Sequence, residues 1–410
     1  MMYVFCSEVR FEDTMKITGY RTIRTHRDWG RPVGDVNGFI ASGITEVAVV
    51  ILETDAGIEG VGIGSDHDVA QLFPAIEGRD PRAVVSLYDA LLSHSFKAGH
   101  GGATFGGIGI LDSALWDLKA KAAGEPLWRL LGAADRFVPG YASGLDIALG
   151  DDELVAFYAT MADRGFAAGK LKGGRDAEAD IRRLLLIRDA LSANTPRPAL
   201  MLDANESWHL KQAVRYVSEV EVAVDLTWIE EPLRRWDAEG HRRLSSQVRT
   251  SVATGENLTG LEQFRPLLDQ GAVDIVQTGA VWGITHFLRV AAAAHFRDLP
   301  TSPVGLTSNP AVAHAAAAAP NHLSAEVQDL GAPFGVAVDQ EYADGGIVLG
   351  DQAGAGIQID ETLIRDANPQ GNWREEAGPH VRPARAGLAM TAQDGLPVSA
   401  RAFPYTSHDD

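Results

Sequence analysis

Cysteine is almost missing from this 410-residue chain: Cys6 is the only one, so no disulfide forms within it, and a reducing, cytoplasmic setting is expected. Long apolar runs are missing too, with no stretch of 18 or more apolar residues, which excludes an expected membrane-spanning helix. Positive charge is scarce. The 36 Lys and Arg face 55 Asp and Glu, for a net charge of −19, and no basic stripe is interleaved with aromatics. Nucleic acids and anionic membranes are therefore not expected as partners, and an anionic substrate would need a local positive site. The opening residues, MMYVFCSEVRFEDTMK, lack the apolar segment of a signal peptide. A strand-like run begins at Met15, so residues 1–14 read as an extension. No Gly-x-Gly-x-x-Gly follows an early strand, so a dinucleotide fold lacks its fingerprint.

What is present falls into three parts. The first, residues 1–136, reads as α+β. TEVAVVILETDAGIEGVGIGS (45–65) is two apolar strand runs around the turn Thr54-Asp55-Ala56-Gly57. PRAVVSLYDALLSH and GIGILDSALWDLKAKAAGEPLWRLLG read as helices, the second closed by Gly124 and Pro126. From 137 to 345 short β runs alternate with amphipathic helices: FVPGYAS, FAAGKLK, PALMLDAN, DLTWIEEP, TSVATGEN, VDIVQTG, LPTSPVG and HLSAEVQ. Such alternation predicts a parallel sheet with right-handed crossovers, and this many units predict a closed TIM-like barrel of (β/α)7β type. An open flavodoxin-like sheet with a helical domain would need fewer units. Residues 346–410 leave the repeat and are expected to return to the first domain, with a loosely ordered tail.

Charged residues sit at the ends of consecutive apolar runs. Lys172, Asp203, Glu230 and Glu256 follow one another at intervals of 31, 27 and 26 residues, about one β/α unit each. In a barrel this brings them to the carboxyl-terminal mouth, where barrel enzymes carry their chemistry. Each acid alone would pass as a helix N-cap or a solvated residue. Together, three carboxylates converging on one volume need a counter-charge, and an oxygen-only set suits a hard cation, Mg²⁺, with Mn²⁺ as substitute.

WIEEP (228–232), LDAN (202–205), GEN (255–257) and the Lys-x-Lys of GKLKGG together resemble the enolase superfamily in its mandelate racemase branch, from about Met15 to about residue 360. SALWDLKAKAAGEPLWRLLG (113–132) is similar to the last helix of that family's capping domain. The resemblance implies Asp203, Glu230 and Glu256 as metal ligands, Lys172 as the base that removes a proton α to a carboxylate, and Lys170 as its electrostatic neighbour. It implies a structural part for Glu231, a contact with substrate or bound water for Asn205, and a substrate-carboxylate contact for Glu326, which would stabilise an enediolate if protonated. A base needs a pKa near the working pH; an ordinary lysine, near a pKa of about 10.4, lies too high, and burial beside a second ammonium is expected to lower Lys172.

The family's His–Asp dyad is not matched: Gly279 stands where the Asp of strand six is expected and Val304 where the His of strand seven is expected. Asp274 lies earlier on strand six and is not promoted. Two-base proton transfer is thereby disfavoured. The expected function is one-base, Mg-dependent chemistry: dehydration of a sugar acid, or alternatively a cycloisomerase or one-base epimerase, with a non-catalytic metal- or ligand-binding protein as a further alternative. RTHRDWGRPVGDVNGF (24–39) is a candidate mobile lid, with His26, Arg27, Trp29 and Arg31 as substrate contacts, and HSFKAGHGGATFGG (94–107) is a similar segment with Lys97 and His100. His314 reads as packing, His322 as packing or site. The expected partner is a small carboxylate, and the apolar helical faces of a barrel suggest a homo-oligomer.

Overall fold

A computed structural model describes residues 15–98 and 100–368; the expected extension and the tail beyond residue 368 lie outside the described residues. The first strand, β1 (Ile17–Asp28), leads into a small hairpin of β2 (Val33–Asp35) and β3 (Gly38–Ile40), followed by β4 (Ile44–Thr54) and β5 (Gly60–Gly64). β1, β4 and β5 form an antiparallel sheet in the order β1-β4-β5. The β4–β5 turn closes where Gly57 N–H donates to Thr54 O at 3.1 Å. One face of the sheet packs on a long helix, Gly102–Ala123, whose residues Ile108, Leu111, Leu115 and Leu118 are all buried. Each such side chain contributes roughly 1.5–3 kcal/mol through its burial. The helix ends at Gly124, in a left-handed C-cap at φ 69°. Two expectations change here. Residues 24–28 of the candidate lid belong to β1, and residues 102–107 of the second lid-like segment are helix rather than loop.

The barrel follows. Its strands are β6 (Phe137–Ser143), β7 (Ala168–Lys172), β8 (Ala199–Asp203), β9 (Leu226–Glu230), β10 (Ser251–Thr254), β11 (Ile275–Gly279), β12 (Thr301–Val304) and β13 (Ala325–Val327). Successive strands from β6 to β12 pair in parallel, and β13 pairs in parallel with β6. The ring is completed between β12 and β13, where Leu323 N–H donates to Thr301 O at 2.8 Å. Helices connect the strands up to β13, among them Ala177–Leu191 and Leu210–Ala223. Asp176 caps the first of these by accepting from Ala179 N–H at 3.1 Å. After β13 the chain instead forms β14 (Val336–Val338), β15 (Gln340–Ala343), β16 (Gly346–Leu349), β17 (Ile357–Ile359) and the helix Glu361–Ala367. β16 adds antiparallel to β6, and Glu361 meets Arg21 of β1 at 2.6 Å, so this segment ties barrel to cap.

Strand periodicity explains what faces the barrel interior. Tyr141, Met201, Trp228, Ala253 and Ile275 pack together as one apolar layer. Two residues further along β6, β8 and β9 stand Ser143, Asp203 and Glu230, and side chains of one strand two apart share a face. The layer is thus a dry floor, and the polar ends of the strands stand above it at the mouth.

Candidate active site

Strand pairing sets the polar residues level with one another. Ser143 is opposite Lys170, Lys172 opposite Asp203, and Asp203 opposite Glu230. Glu256 lies two residues beyond the end of β10, yet its carboxylate joins the others: oxygen atoms of Asp203, Glu230 and Glu256 lie within 4.8 Å of one another. Lys170 Nζ contacts Glu230 Oε1 and lies 2.9 Å from Glu326 Oε1 and 3.5 Å from Asp203 Oδ2. Lys172 Nζ is paired with Asp203 Oδ2. Lys170, Asp203 and Glu230 are fully buried, and Lys172 and Glu326 nearly so.

Electrostatics follow from this crowding. Burial, with Asp203 adding to it, pushes Glu230 up to about 8, and burial pushes Glu256 up to about 7. Burial opposes ionisation of Asp203 as well, but Lys172 and Lys170 outweigh it and bring Asp203 down to about 2. Glu326 is likewise held below the usual carboxylate range, against its burial, by Lys170 and Lys172. It is therefore a carboxylate here and not the protonated acid considered from the sequence. The lysines also reverse an expectation. Burial and their mutual repulsion lower them, as reasoned, but Glu230 and Glu326 raise Lys170, and Asp203 raises Lys172, above the ordinary range. The acids outnumber the ammonium groups, and attraction wins. Three converging carboxylates, two of them shifted towards protonation, are a donor set that fits a hard divalent cation.

Supporting contacts came from residues that the sequence did not single out. Trp228 Nε1 and Gln277 Nε2 donate to Glu230 Oε2 at 3.0 and 2.6 Å. The buried Asp146 accepts from the Lys172 backbone N–H at 3.0 Å and from Tyr158 OH at 3.0 Å, which fixes the end of β7. Glu326 Oε2 accepts from Gly305 N–H at 2.7 Å. Asn205, Glu206 and Glu231 adopt left-handed backbone at φ 42°, 59° and 40°. Non-glycine residues in that region cost on the order of 1 kcal/mol each, and such strain gathers at functional sites. Glu231 accepts from Asn257 Nδ2 at 2.9 Å, a bond between the loops after β9 and β10.

The β2–β3 hairpin lies across the mouth. Gly34 N–H donates to Leu145 O at 2.8 Å, Arg175 Nη2 to Val36 O at 2.9 Å, and Asn37 Nδ2 to Asn205 O at 3.2 Å. The lid is thus a tied hairpin whose anchors are the loops after β6, β7 and β8. Other expected contacts fall differently. Arg27 is buried and donates to Asp329 Oδ2 at 2.8 Å and Gly331 O at 2.7 Å, which makes it a strut between β1 and the segment after β13. Trp29 Nε1 donates to Thr45 Oγ1 at 2.9 Å, with the Arg27 and Arg31 guanidinium groups 5.5 and 5.8 Å from its ring. Arg31 also donates to Gly144 O at the end of β6. The His26 ring stacks on Phe334 at 5.3 Å, and His100 Nε2 sits at Leu92 O; neither ring is brought to the acidic cluster by these contacts. His314 Nδ1 accepts from Trp128 N–H at 3.1 Å and is packing.

Across the barrel from β7, Gly279 and Val304 end β11 and β12 and pair with each other. The volume beside Gly279 holds the Trp282 indole, whose Nε1 donates to Glu256 O at 2.6 Å. A Cβ on Gly279 would lie 2.8 Å from both Trp282 Nε1 and Glu256 O.

Residues 153–363 match the family described as Enolase C-terminal domain-like, and residues 37–132 match Mandelate racemase / muconate lactonizing enzyme, N-terminal domain. The chain belongs to the mandelate racemase/muconate lactonizing enzyme family of the enolase superfamily. Among members of this family, L-talarate/galactarate dehydratase of Salmonella typhimurium is 37% identical over 273 residues, 62% of this chain and 68% of that protein. A 3,6-anhydro-alpha-L-galactonate cycloisomerase of Streptomyces coelicolor is 32% identical over 332 residues, 77% of this chain and 89% of that protein. The crystal structure of a racemase from Streptomyces coelicolor with bound magnesium matches at a TM-score of 0.77 and 29% identity, covering 85% of this chain and 99% of that one. This member of the family is an enzyme, a lyase or an isomerase, and the non-catalytic alternative is set aside.

Proposed function

We propose that the protein removes the proton α to the carboxylate of a sugar acid with Lys172 and, from the resulting enediolate, eliminates water. The observation that carries this reading is the buried juxtaposition of Lys172 and Lys170 with the Asp203–Glu230–Glu256 triad above the apolar floor. The named relatives, a sugar-acid dehydratase and a cycloisomerase, support sugar-acid chemistry of this kind.

Asp203, Glu230 and Glu256 would hold Mg²⁺, or Mn²⁺ in its place. Bound there, the cation would supply a positive centre for the substrate carboxylate and the developing enediolate charge, and would offset the acids that keep the lysines protonated. Lys172 Nζ, at the open end of β7, accepts the α-proton. Lys170, one layer deeper, stays cationic against Glu230 and Glu326 and faces the accumulating negative charge. The Trp228–Tyr141 floor excludes water from below, and the β2–β3 hairpin limits its entry from above. Gly279, Val304 and Trp282 form an opposite wall with no acid or base on it, which favours a single-base route.

The test is Lys172→Ala assayed on aldonic and aldaric acids with Mg²⁺, together with exchange of the α-proton in D₂O. Loss of both turnover and exchange in a folded variant is expected, with chelation abolishing and Mg²⁺ restoring wild-type activity. Retained exchange removes Lys172 as the base. Cycloisomerisation is the second reading, and the product separates the routes: a 2-keto-3-deoxy acid from dehydration, a ring-opened or ring-closed isomer from the other.

A further inference from the structure

Asp203 and Glu230 end β8 and β9, where the strand ladder sets them opposite each other. Glu256 has no such support. It lies two residues beyond Thr254, the end of β10, and follows Gly255 at φ 126°, a conformation that suits glycine and few other residues. Its place beside the other two acids therefore depends on contacts from outside the ladder. On one side Glu256 O accepts from Trp282 Nε1 at 2.6 Å and from Gly279 N–H at 3.1 Å. On the other side the next residue, Asn257, is held twice. Its carbonyl accepts from Arg235 Nη1 at 3.1 Å, and its Nδ2 donates to Glu231 Oε1 at 2.9 Å.

Arg235, in the loop after β9, also reaches the loop after β8. Its Nε donates to Glu206 Oε1 at 2.5 Å, and the Glu206 side chain is fully buried. Glu206 N–H in turn donates to Glu231 O at 2.6 Å. Glu206, Arg235, Asn257 and Glu231 form a closed ring of hydrogen bonds across the loops after β8, β9 and β10. Glu206 lies three residues past Asp203, while Glu231 and Asn257 directly follow Glu230 and Glu256. The left-handed backbone of Glu206 and Glu231 belongs to this ring, and strain of that kind persists only where neighbouring contacts hold it. A planar guanidinium donates in fixed directions, so one side chain sets the distance between Glu206 and Asn257.

We infer that Arg235, anchored by Glu206, is a positioning residue for the metal site: it fixes the loop that carries Glu256, so that the three carboxylates converge before a cation arrives. The inference rests on the metal site given under Proposed function. Groups that orient metal ligands through hydrogen bonds typically govern affinity by about 10–100-fold. The sign of the effect separates this role from simple electrostatics. Arg235 is a cation beside the loop of an acidic cluster, so by charge alone its removal would tighten Mg²⁺ binding. By position, its removal releases Glu256 and weakens binding.

Calorimetric Mg²⁺ titration of chelator-treated protein compares wild type, Arg235→Met, the double variant Arg235→Met/Glu206→Gln, and Arg21→Met as a control. Denaturant unfolding establishes that each is folded under the titration conditions. Arg235→Met is expected to weaken Mg²⁺ binding by about 10–100-fold. The double variant keeps the net charge of wild type and leaves no carboxylate buried without its arginine, so it carries the test where Arg235→Met does not fold. It is expected to bind Mg²⁺ about as weakly as the single variant. Arg21→Met removes a cation paired with Glu59 and Glu361 on the capping sheet, and is expected to lower stability with Mg²⁺ affinity unchanged. Binding equal to or tighter than wild type in the folded Arg235 variants overturns the assignment. An equal loss of affinity in Arg21→Met, which would mark a general effect of lowered stability, overturns it too. A wild-type protein that binds no Mg²⁺ overturns the metal site itself, and with it the reading given under Proposed function.

Discussion

Gly279→Ala is the sharpest probe of the wall opposite Lys172. Gly279 has φ −68° and ψ 129°, ordinary extended backbone that alanine adopts freely, so any effect must come from space and not from backbone strain. The new Cβ would lie 2.8 Å from Trp282 Nε1, 2.8 Å from Glu256 O and 3.1 Å from Trp282 Cδ1. The first two atoms are donor and acceptor of one hydrogen bond, 2.6 Å long, so the methyl wedges into it. Overpacking of this kind costs about 1–3 kcal/mol, and a disrupted hydrogen bond adds about 0.5–1.5 kcal/mol. A destabilisation of about 2–4 kcal/mol is therefore expected from one methyl group. Because Glu256 carries the struck carbonyl, Mg²⁺ affinity should fall as well. Trp282→Ala opens the space, so the double variant should recover stability relative to the sum of the single changes, a coupling of about 1–2 kcal/mol. Denaturant unfolding of the four proteins and calorimetric Mg²⁺ titration measure both effects. A Gly279→Ala protein within about 0.5 kcal/mol of wild type, or strict additivity with Trp282→Ala, refutes the argument that the Trp282 indole fills the space beside Gly279.

Asn37→Ala removes the 3.2 Å tie from the hairpin to Asn205. The loss of about 0.5–1.5 kcal/mol should raise KM by about two- to tenfold in steady-state kinetics, with the unfolding midpoint nearly unchanged. His314 gives a pH dependence: burial brings its pKa down to about 4, against about 6.5 when unfolded. Its contribution is complete above pH 6.5 and is lost as pH falls towards 4, about 3 kcal/mol in all. His314→Asn, which keeps an acceptor for Trp128 N–H, should flatten the stability curve over that window when unfolding is measured at each pH.

Much of the site was readable because a strand end is a sequence feature. Lys172, Asp203 and Glu230 each occupy the last position of β7, β8 and β9, and the two-residue period turns all of them inward. Glu256 lies past its strand, and its place came from the spacing of the β/α units. Other parts depend on contacts that no local pattern encodes. Trp282 sits in a short turn after β11 and meets Gly279 only through the packing of that turn. The β2–β3 hairpin is held by Leu145, Arg175 and Asn205, residues more than a hundred positions away in the chain. His26 and His100 drew notice as histidines in glycine-bearing segments, but Phe334 and Leu92 engage their rings. The direction of the lysine shift required knowing how many carboxylates converge, and that is a three-dimensional count.

That count separates the two lysines. Lys170 is fully buried and meets carboxylates of Asp203, Glu230 and Glu326, whereas among the described residues Lys172 pairs with Asp203 alone, at the end of the strand. Drawing charge away from Asp203 therefore frees Lys172 first, while Lys170 keeps Glu326. One becomes available as a base and the other remains a fixed cation. Substitution should expose the difference. Lys170→Met strands buried carboxylates and is expected to cost about 3–5 kcal/mol in metal-free protein, with Mg²⁺ restoring part of the loss through binding to the folded state. Lys172→Met removes a single ion pair, that with Asp203, which Lys170 also meets, and should cost less in stability while abolishing α-proton exchange. Thermal unfolding with and without Mg²⁺ compares them, and equal losses for the two variants would show that the lysines are interchangeable struts, with no division between base and fixed charge.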